Sequence, residues 1–250
     1  MKVNFLVSIL IILLICTNSF KIHSDTFPET FDYLSNIDPT IIQSVRYAST
    51  ENFVGDVIEG YHAKKIILTK LAAYALANVQ DEMNSFGYTL VVYDGYRPQK
   101  SVNNFIKWVQ SPEDFKTKAK YYPLMNKTDL FEQGYLYEKS GHTRGSTMDL
   151  SYIPLGESVH DIKEVPYTLN NGQRVTFLDD GTVFTCTSFD FFGLPSHHDT
   201  DLVSQECLNR RNFLRQLMLK HGFKQLNEEW WHYTLVAEPY PDTYFDFDII

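Results

Sequence analysis

Cysteine is scarce in this chain, with three in 250 residues, and none stands at metal-ligand spacing from another. A cysteine-built metal site is therefore excluded. Positive charge is also short. Lys and Arg number 22 against 31 Asp and Glu, for a formal net charge of -9. A negative surface repels phosphate backbones. No basic patch interleaved with aromatics appears, and no glycine loop of the kind that cradles phosphate, so nucleic acid is not an expected partner. Internal repeats and clear linkers are missing too. Charged residues make up only 21% and hydrophobic residues 44%, which excludes a disordered chain. A chain of this length can build one sizeable core. Nothing in the composition fixes an oligomeric state.

What is present begins with MKVNFLVSILIILLIC. One Lys precedes an apolar run from Phe5 to Cys16, broken only by Ser8. The run has the length of a signal-peptide core and is short for a membrane span of about 20 residues. It predicts a secretory signal over residues 1–24, an exported and periplasmic protein, and one domain over residues 25–250. No small-x-small pattern follows to mark a cleavage site. Membrane contact is expected only if the segment is uncleaved or if Cys16 is lipidated, and the bulky Ile15 disfavours the second. Cys186 and Cys207 remain, either paired in an oxidising compartment or as two buried thiols.

Residues 26–63 are turn-rich and mixed. Leu68, Leu71, Ala72, Ala75, Leu76, Val79 and Met83 then fall on one face at helical spacing, and Gly87 is a plausible stop. YTLVVYD, Tyr88 to Asp94, reads as a buried strand. A second helix is expected over Ser101–Val109, and residues 111–139 read as an exposed excursion without a clean period. Met148–Ile153 reads as a strand. The Asn-Gly and Asp-Gly pairs in TLNNGQRVTFLDDGTVF suggest a small hairpin. Ser204–His221 suggests another helix capped by Gly222, and Trp230–Val236 a last strand. The fold class expected is α+β, with a central, mostly antiparallel sheet, flanking helices and a functional site in a cleft.

Chemistry concentrates in three stretches. SGHTRGSTMDL places His142 and Asp149 seven residues apart, with Gly141 and Gly145 allowing tight turns beside the histidine. In EEWWHYTLV, Glu229 stands three residues before His232, with two tryptophans between them to pack the stretch and exclude water. Either half alone is weak. Together they offer two imidazoles, a ligating carboxylate and a spare carboxylate. Zinc catalysis needs three protein ligands, an open position for water and a base for that water's proton. In VVYDGYRPQKS, Arg97 follows a buried strand in a turn stiffened by Pro98, where an arginine can stabilise an oxyanion. His197-His198-Asp199 suggests a second metal site, but consecutive histidines are more often solvated loop.

SGHTRGSTMDL, YDGYRP and EEWWHY together resemble the VanX-type D-alanyl-D-alanine dipeptidases, a zinc metallopeptidase family. The resemblance runs from about Tyr47 (VRYASTENFVG) to the last strand and includes CTSFDFF, Cys186 to Phe192. The S-x-H-x-x-G-x-x-x-D and E-x-W-H elements are shared with D,D-carboxypeptidases, phage endolysins and the Hedgehog signalling domain. The WWH form with YDGYRP narrows the likeness to the dipeptidases. It implies one zinc per chain on His142, Asp149 and His232, Glu229 as general base, and Arg97 at the transition state. Ser140 and Asp94 match family positions near the substrate's charged termini or just behind them, and Tyr47 and Asp190 match pocket positions. The implied substrate is a small D,D-dipeptide, hydrolysed in cell-wall turnover or glycopeptide resistance. A D,D-carboxypeptidase or endopeptidase acting on muropeptides is the alternative, and a zinc-dependent binding module without catalysis a further one. The chain departs from the family at Cys186 and over residues 111–139.

Overall fold

A computed structural model describes residues 27–111 and 113–250. The Phe5–Cys16 run and the expected 1–24 signal lie outside the described residues. In chain order the elements are β1 (Phe31–Tyr33), α1 (Leu34–Ile37), β2 (Ile42–Gln43), β3 (Ile67–Thr69), α2 (Lys70–Ser85), β4 (Tyr88–Asp94), α3 (Gln99–Val109), α4 (Lys118–Tyr121), β5 (Thr147–Pro154), β6 (Lys163–Thr168), β7 (Arg174–Asp179), α5 (Gln205–Lys220), β8 (Phe223–Leu226) and β9 (Glu229–Leu235).

The apolar run YTLVVYD becomes β4, buried along nearly its whole length because α2 covers one face. It sits inside a five-stranded sheet of order β2-β4-β5-β9-β8. The sheet is mixed, and not the mostly antiparallel one expected. The short β2 joins β4 in parallel, while β4–β5, β5–β9 and β9–β8 are antiparallel. The parallel pair follows from the long path between β2 and β4, which passes through β3 and α2.

Helix α2 begins where the Thr69 side chain accepts the Ala72 N–H, and Gly87, in the left-handed region at φ 80°, follows its end. Its inner face is rotated from the expected one. Ala72, Leu76, Val79 and Met83 are buried, but Leu71 is 57% exposed and Leu68 belongs to β3. Gln80 takes an inward place instead. Its amide oxygen accepts from Leu90 N at 2.9 Å and its nitrogen donates to Thr89 Oγ1 at 2.7 Å, which ties the helix to β4. Ser204 caps α5 by accepting the Cys207 N–H. Strands β6 and β7 form the expected hairpin around Asn171-Gly172.

Residues 113–139 are not an exposed excursion. Tyr121, Tyr122, Leu130, Tyr135 and Leu136 are buried in the main core, and buried Lys127 donates to the carbonyls of Trp108 and Ser111. Aromatic packing onto α3 holds this segment without a regular period. Cys186 and Cys207 form a disulfide between a loop and α5.

Candidate active site

The sheet register assembles the centre of the site. Asp94 at the end of β4 lies opposite Asp149 on β5, and Asp149 lies opposite His232 on β9. A bulge between Val92 and Asp94 puts the Asp94 side chain on the Asp149 face. Alternation along β5 sends Met148 and Leu150 into the core on the other face.

His142 comes from the short 3-10 turn Gly141–Arg144, just before β5. Ser140 Oγ accepts the His142 backbone N–H at 3.2 Å and fixes the start of the turn. Gly145 closes it at φ 84°, where a Cβ would lie 2.1 Å from the Phe31 ring, so glycine is required on both counts. The His142 ring stands 4.9 Å from the His232 ring and almost perpendicular to it. Its Nδ1–H donates to Gly95 O at 2.8 Å, which leaves the Nε2 lone pair facing Asp149 Oδ2 at 3.2 Å.

His232 Nδ1 lies 3.2 Å from Asp149 Oδ1 and 3.2 Å from Glu229 Oε2. The ligand atoms of His142, Asp149 and His232 all fall within 4.8 Å of one another. Among the described residues, no other group of three such side chains converges in this way. His142 Nε2 and Asp149 Oδ1 are buried without a hydrogen-bond partner. Two nitrogens and a carboxylate oxygen, two of them orphaned, fit a divalent metal that accepts N and O donors.

Burial pulls the His142 pKa down and keeps the ring neutral, as a ligand must be. Asp149 is buried too, but the imidazoles of His142 and His232 hold it below the usual carboxylate range. Burial also lowers His232, but the carboxylates of Asp149 and Glu229, each 3.2 Å from Nδ1, outweigh this and lift it to about 9 in the absence of a metal. Burial raises Glu229, the direction that suits a carboxylate serving as a base near neutral pH.

Arg97 Nε donates to Asp94 Oδ2 at 2.9 Å, and its NH2 lies 3.4 Å from Asp149 Oδ2. Its guanidinium stacks over the Tyr47 and Phe105 rings at 5.0 and 5.2 Å. Charge and stacking together fix it at the cavity wall. Tyr47 OH donates to Asp190 Oδ2 at 2.9 Å. Asp190 occupies the left-handed region at φ 60°, uncommon for a non-glycine residue and a mark of functional sites. Burial, followed by repulsion from Asp149 and Glu229, pushes its pKa well above the usual range.

Tyr47, Arg97, Ser140, His142, Asp149, Asp190, Glu229 and His232 all line one cavity of about 250 Å³. Asp94 does not. It is fully buried behind Arg97, where Tyr61 OH donates to it at 2.6 Å, and of the two places expected for it this is the one behind the cavity wall, supporting Arg97. Sequence reasoning missed Tyr61, and it missed Phe131, Tyr135, Leu136 and Tyr137, which bring the 113–139 segment to the cavity wall. The crowding of aromatics just before Ser140 was the available signal. The reading of His197-His198 as solvated loop is also corrected. His198 is 2% exposed, stands behind Tyr233, and takes no part in the metal cluster.

The sequence profile of the D-ala-D-ala dipeptidase family matches residues 29–161 and 158–250. The chain belongs to that family. It is 38% identical to a D-alanyl-D-alanine dipeptidase of Streptomyces coelicolor over 220 residues, covering 88% of this chain and 98% of the relative. It is 38% identical to one of Enterococcus faecalis over 204 residues, covering 82% and 90%. Identity to one of Escherichia coli is 26% over 212 residues, covering 83% and 86%. The protein is a metallopeptidase by this membership.

Proposed function

We propose that this dipeptidase-family enzyme hydrolyses the free dipeptide D-Ala-D-Ala with one zinc ion on His142, Asp149 and His232. The observation that carries the reading is the cavity itself. At about 250 Å³ it falls below the roughly 300–1,000 Å³ of ordinary ligand pockets. It also joins the metal cluster to an unused buried acid, Asp190.

Bound zinc supplies a Lewis acid and lowers the pKa of a coordinated water. Glu229, 3.2 Å from His232 and 6% exposed, takes the proton of the attacking water and returns it to the leaving amine. Arg97, held by Asp94 and stacked on Tyr47, faces the oxyanion as the scissile carbonyl becomes tetrahedral. Asp190 takes the substrate ammonium. An incoming cation would pair directly with that carboxyl, which Arg97 reaches only at a distance, and Tyr47 OH keeps it aimed. Ser140 shapes the turn that presents His142 and stands at the wall beside it.

The Phe5–Cys16 run supports export, with a role in recovering D-alanine from cell-wall turnover. A resistance role would act on a cytoplasmic pool.

The test is a comparison by the zinc-loaded protein of D-Ala-D-Ala, its N-acetyl derivative and D-Ala-capped muropeptides. A buried carboxyl left unpaired costs about 1–3 kcal/mol, so the free dipeptide should be favoured on the order of ten- to a hundredfold in kcat/KM. Equal kcat/KM for the free and acetylated dipeptides would mean an open cleft and a D,D-carboxypeptidase.

A further inference from the structure

Arg211 lies on α5, outside the cavity, and is only 1% exposed. A guanidinium has five N–H donors. Here all five are engaged, and none of them on a carboxylate. Nε donates to Thr185 O at 3.0 Å and NH2 to the same oxygen at 2.6 Å. NH1 donates to Pro195 O at 2.9 Å and to His197 O at 3.2 Å. NH2 also donates to Thr187 Oγ1 at 3.0 Å. Every acceptor belongs to residues 185–197, the segment that carries Asp190 and Phe192 to the cavity wall.

Burying a cation without a counter-ion is a costly way to hold a loop. Apolar packing of similar volume usually serves stability as well or better. What the guanidinium provides instead is geometry, because its planar fork joins carbonyls from both ends of the segment. Asp190 sits between those ends in its left-handed conformation. Thr187 Oγ1 also accepts the indole N–H of Trp230 at 3.1 Å, and Trp230 is the neighbour of Glu229. One side chain thus fixes the Asp190 segment and meets the strand that carries Glu229 and His232.

We propose that Arg211 is a positioning residue for substrate recognition, which sets Asp190 for the ammonium of the dipeptide by clamping residues 185–197 to α5. This rests on the reading that Asp190 takes the ammonium. The Cys186–Cys207 disulfide ties the same segment one helical turn earlier on α5, so a variant at Arg211 keeps the tether and loses only the clamp.

The test measures kcat and KM for D-Ala-D-Ala and N-acetyl-D-Ala-D-Ala with the zinc-loaded, oxidised enzyme and its Arg211→Lys and Arg211→Met variants. The readout is the ratio of the two kcat/KM values. Loss of folded protein lowers both substrates equally and leaves the ratio alone. The wild-type ratio should be on the order of ten- to a hundredfold, and in both variants it should fall to within about threefold of one, through a raised KM for the free dipeptide. Lysine cannot span both ends of the segment, so it should rescue little. A variant ratio equal to wild type would make Arg211 structural only and overturn the proposal. A wild-type ratio near one would overturn the Asp190 reading itself, and this proposal with it. Should Arg211→Met fail to fold, Thr187→Val removes the hydroxyl that accepts from Arg211, Trp230 and Ser196 and leaves the guanidinium in place. Its ratio should fall in the same direction, and an unchanged ratio there counts against the clamp.

Discussion

Reduction of the Cys186–Cys207 disulfide should destabilise the protein by an amount that the chain separation sets. The two cysteines are 21 residues apart. Cross-linking a loop of that size removes about 11 cal/mol/K of entropy from the unfolded chain, or about 3 kcal/mol at 25 °C. For a domain of this length each kcal/mol moves Tm by about 2–4 °C, so the expected drop is about 6–12 °C. No large native contribution is expected to oppose this, because both cysteines are buried in an apolar cluster with Leu169, Val175, Phe191 and Val203 that can also house two thiols. The comparison is guanidinium and thermal unfolding of residues 25–250, refolded with and without reductant. A chelator is present in both arms, so that metal binding to the folded state does not mask the difference. Thiol titration of the denatured, unreduced protein should find no free cysteine. Two free thiols would remove the disulfide. A disulfide that forms but shifts stability by less than about 1 kcal/mol would refute the entropic argument.

The other expectations concern catalysis, metal, acid stability and location. Glu229→Gln should retain zinc and lose kcat by at least about 100-fold, the usual scale for a general base; near-normal turnover would remove Glu229 from that role. His142→Ala should lose most bound zinc by metal analysis, and full retention would undo the proposed ligand set. His198 is buried neutral, and burial, followed by the charges of Arg215 and Arg211, brings its pKa down to about 3, from about 6.5 for an ordinary imidazole. The unfolded chain therefore takes up this proton first, and stability present above about pH 6.5 is lost as pH falls towards 3. By pH 4 the loss is about 3 kcal/mol, and a His198→Leu variant should show a flatter pH–stability curve, whereas parallel curves would contradict the assignment. Cell fractionation should find the mature protein outside the cytosol without its first residues; full-length protein in the cytosol would defeat both the signal and the turnover role.

The site was legible because its chemistry is local while its geometry is not. His142 and Asp149 share one stretch, and Glu229 and His232 another, because β5 and β9 are hydrogen-bonded neighbours and each contributes its own short run. Residue type and spacing announce such runs before any fold is known. The strand Tyr88–Asp94 was legible for a related reason, since a sheet covered by a helix demands an unbroken apolar run. The misreadings have the opposite character. Leu71 looked inward by period, yet Gln80 takes an inward place on α2 because Leu90 N and Thr89 Oγ1 give its amide partners that no helical wheel displays. Residues 113–139 looked exposed because aromatic packing onto α3 imposes no spacing on the segment that makes it. The motif left Asp94 either beside the substrate or behind its contacts, and only the bulge after Val92 shows that the carboxylate turns behind the guanidinium. Arg211 was the least legible, since its four acceptors lie 14 to 26 residues away and are backbone or hydroxyl oxygens. A carboxylate partner leaves a trace in composition, but a carbonyl leaves none. Side chains gathered in short polar runs are therefore easier to find in this sequence than a buried cation held by carbonyls.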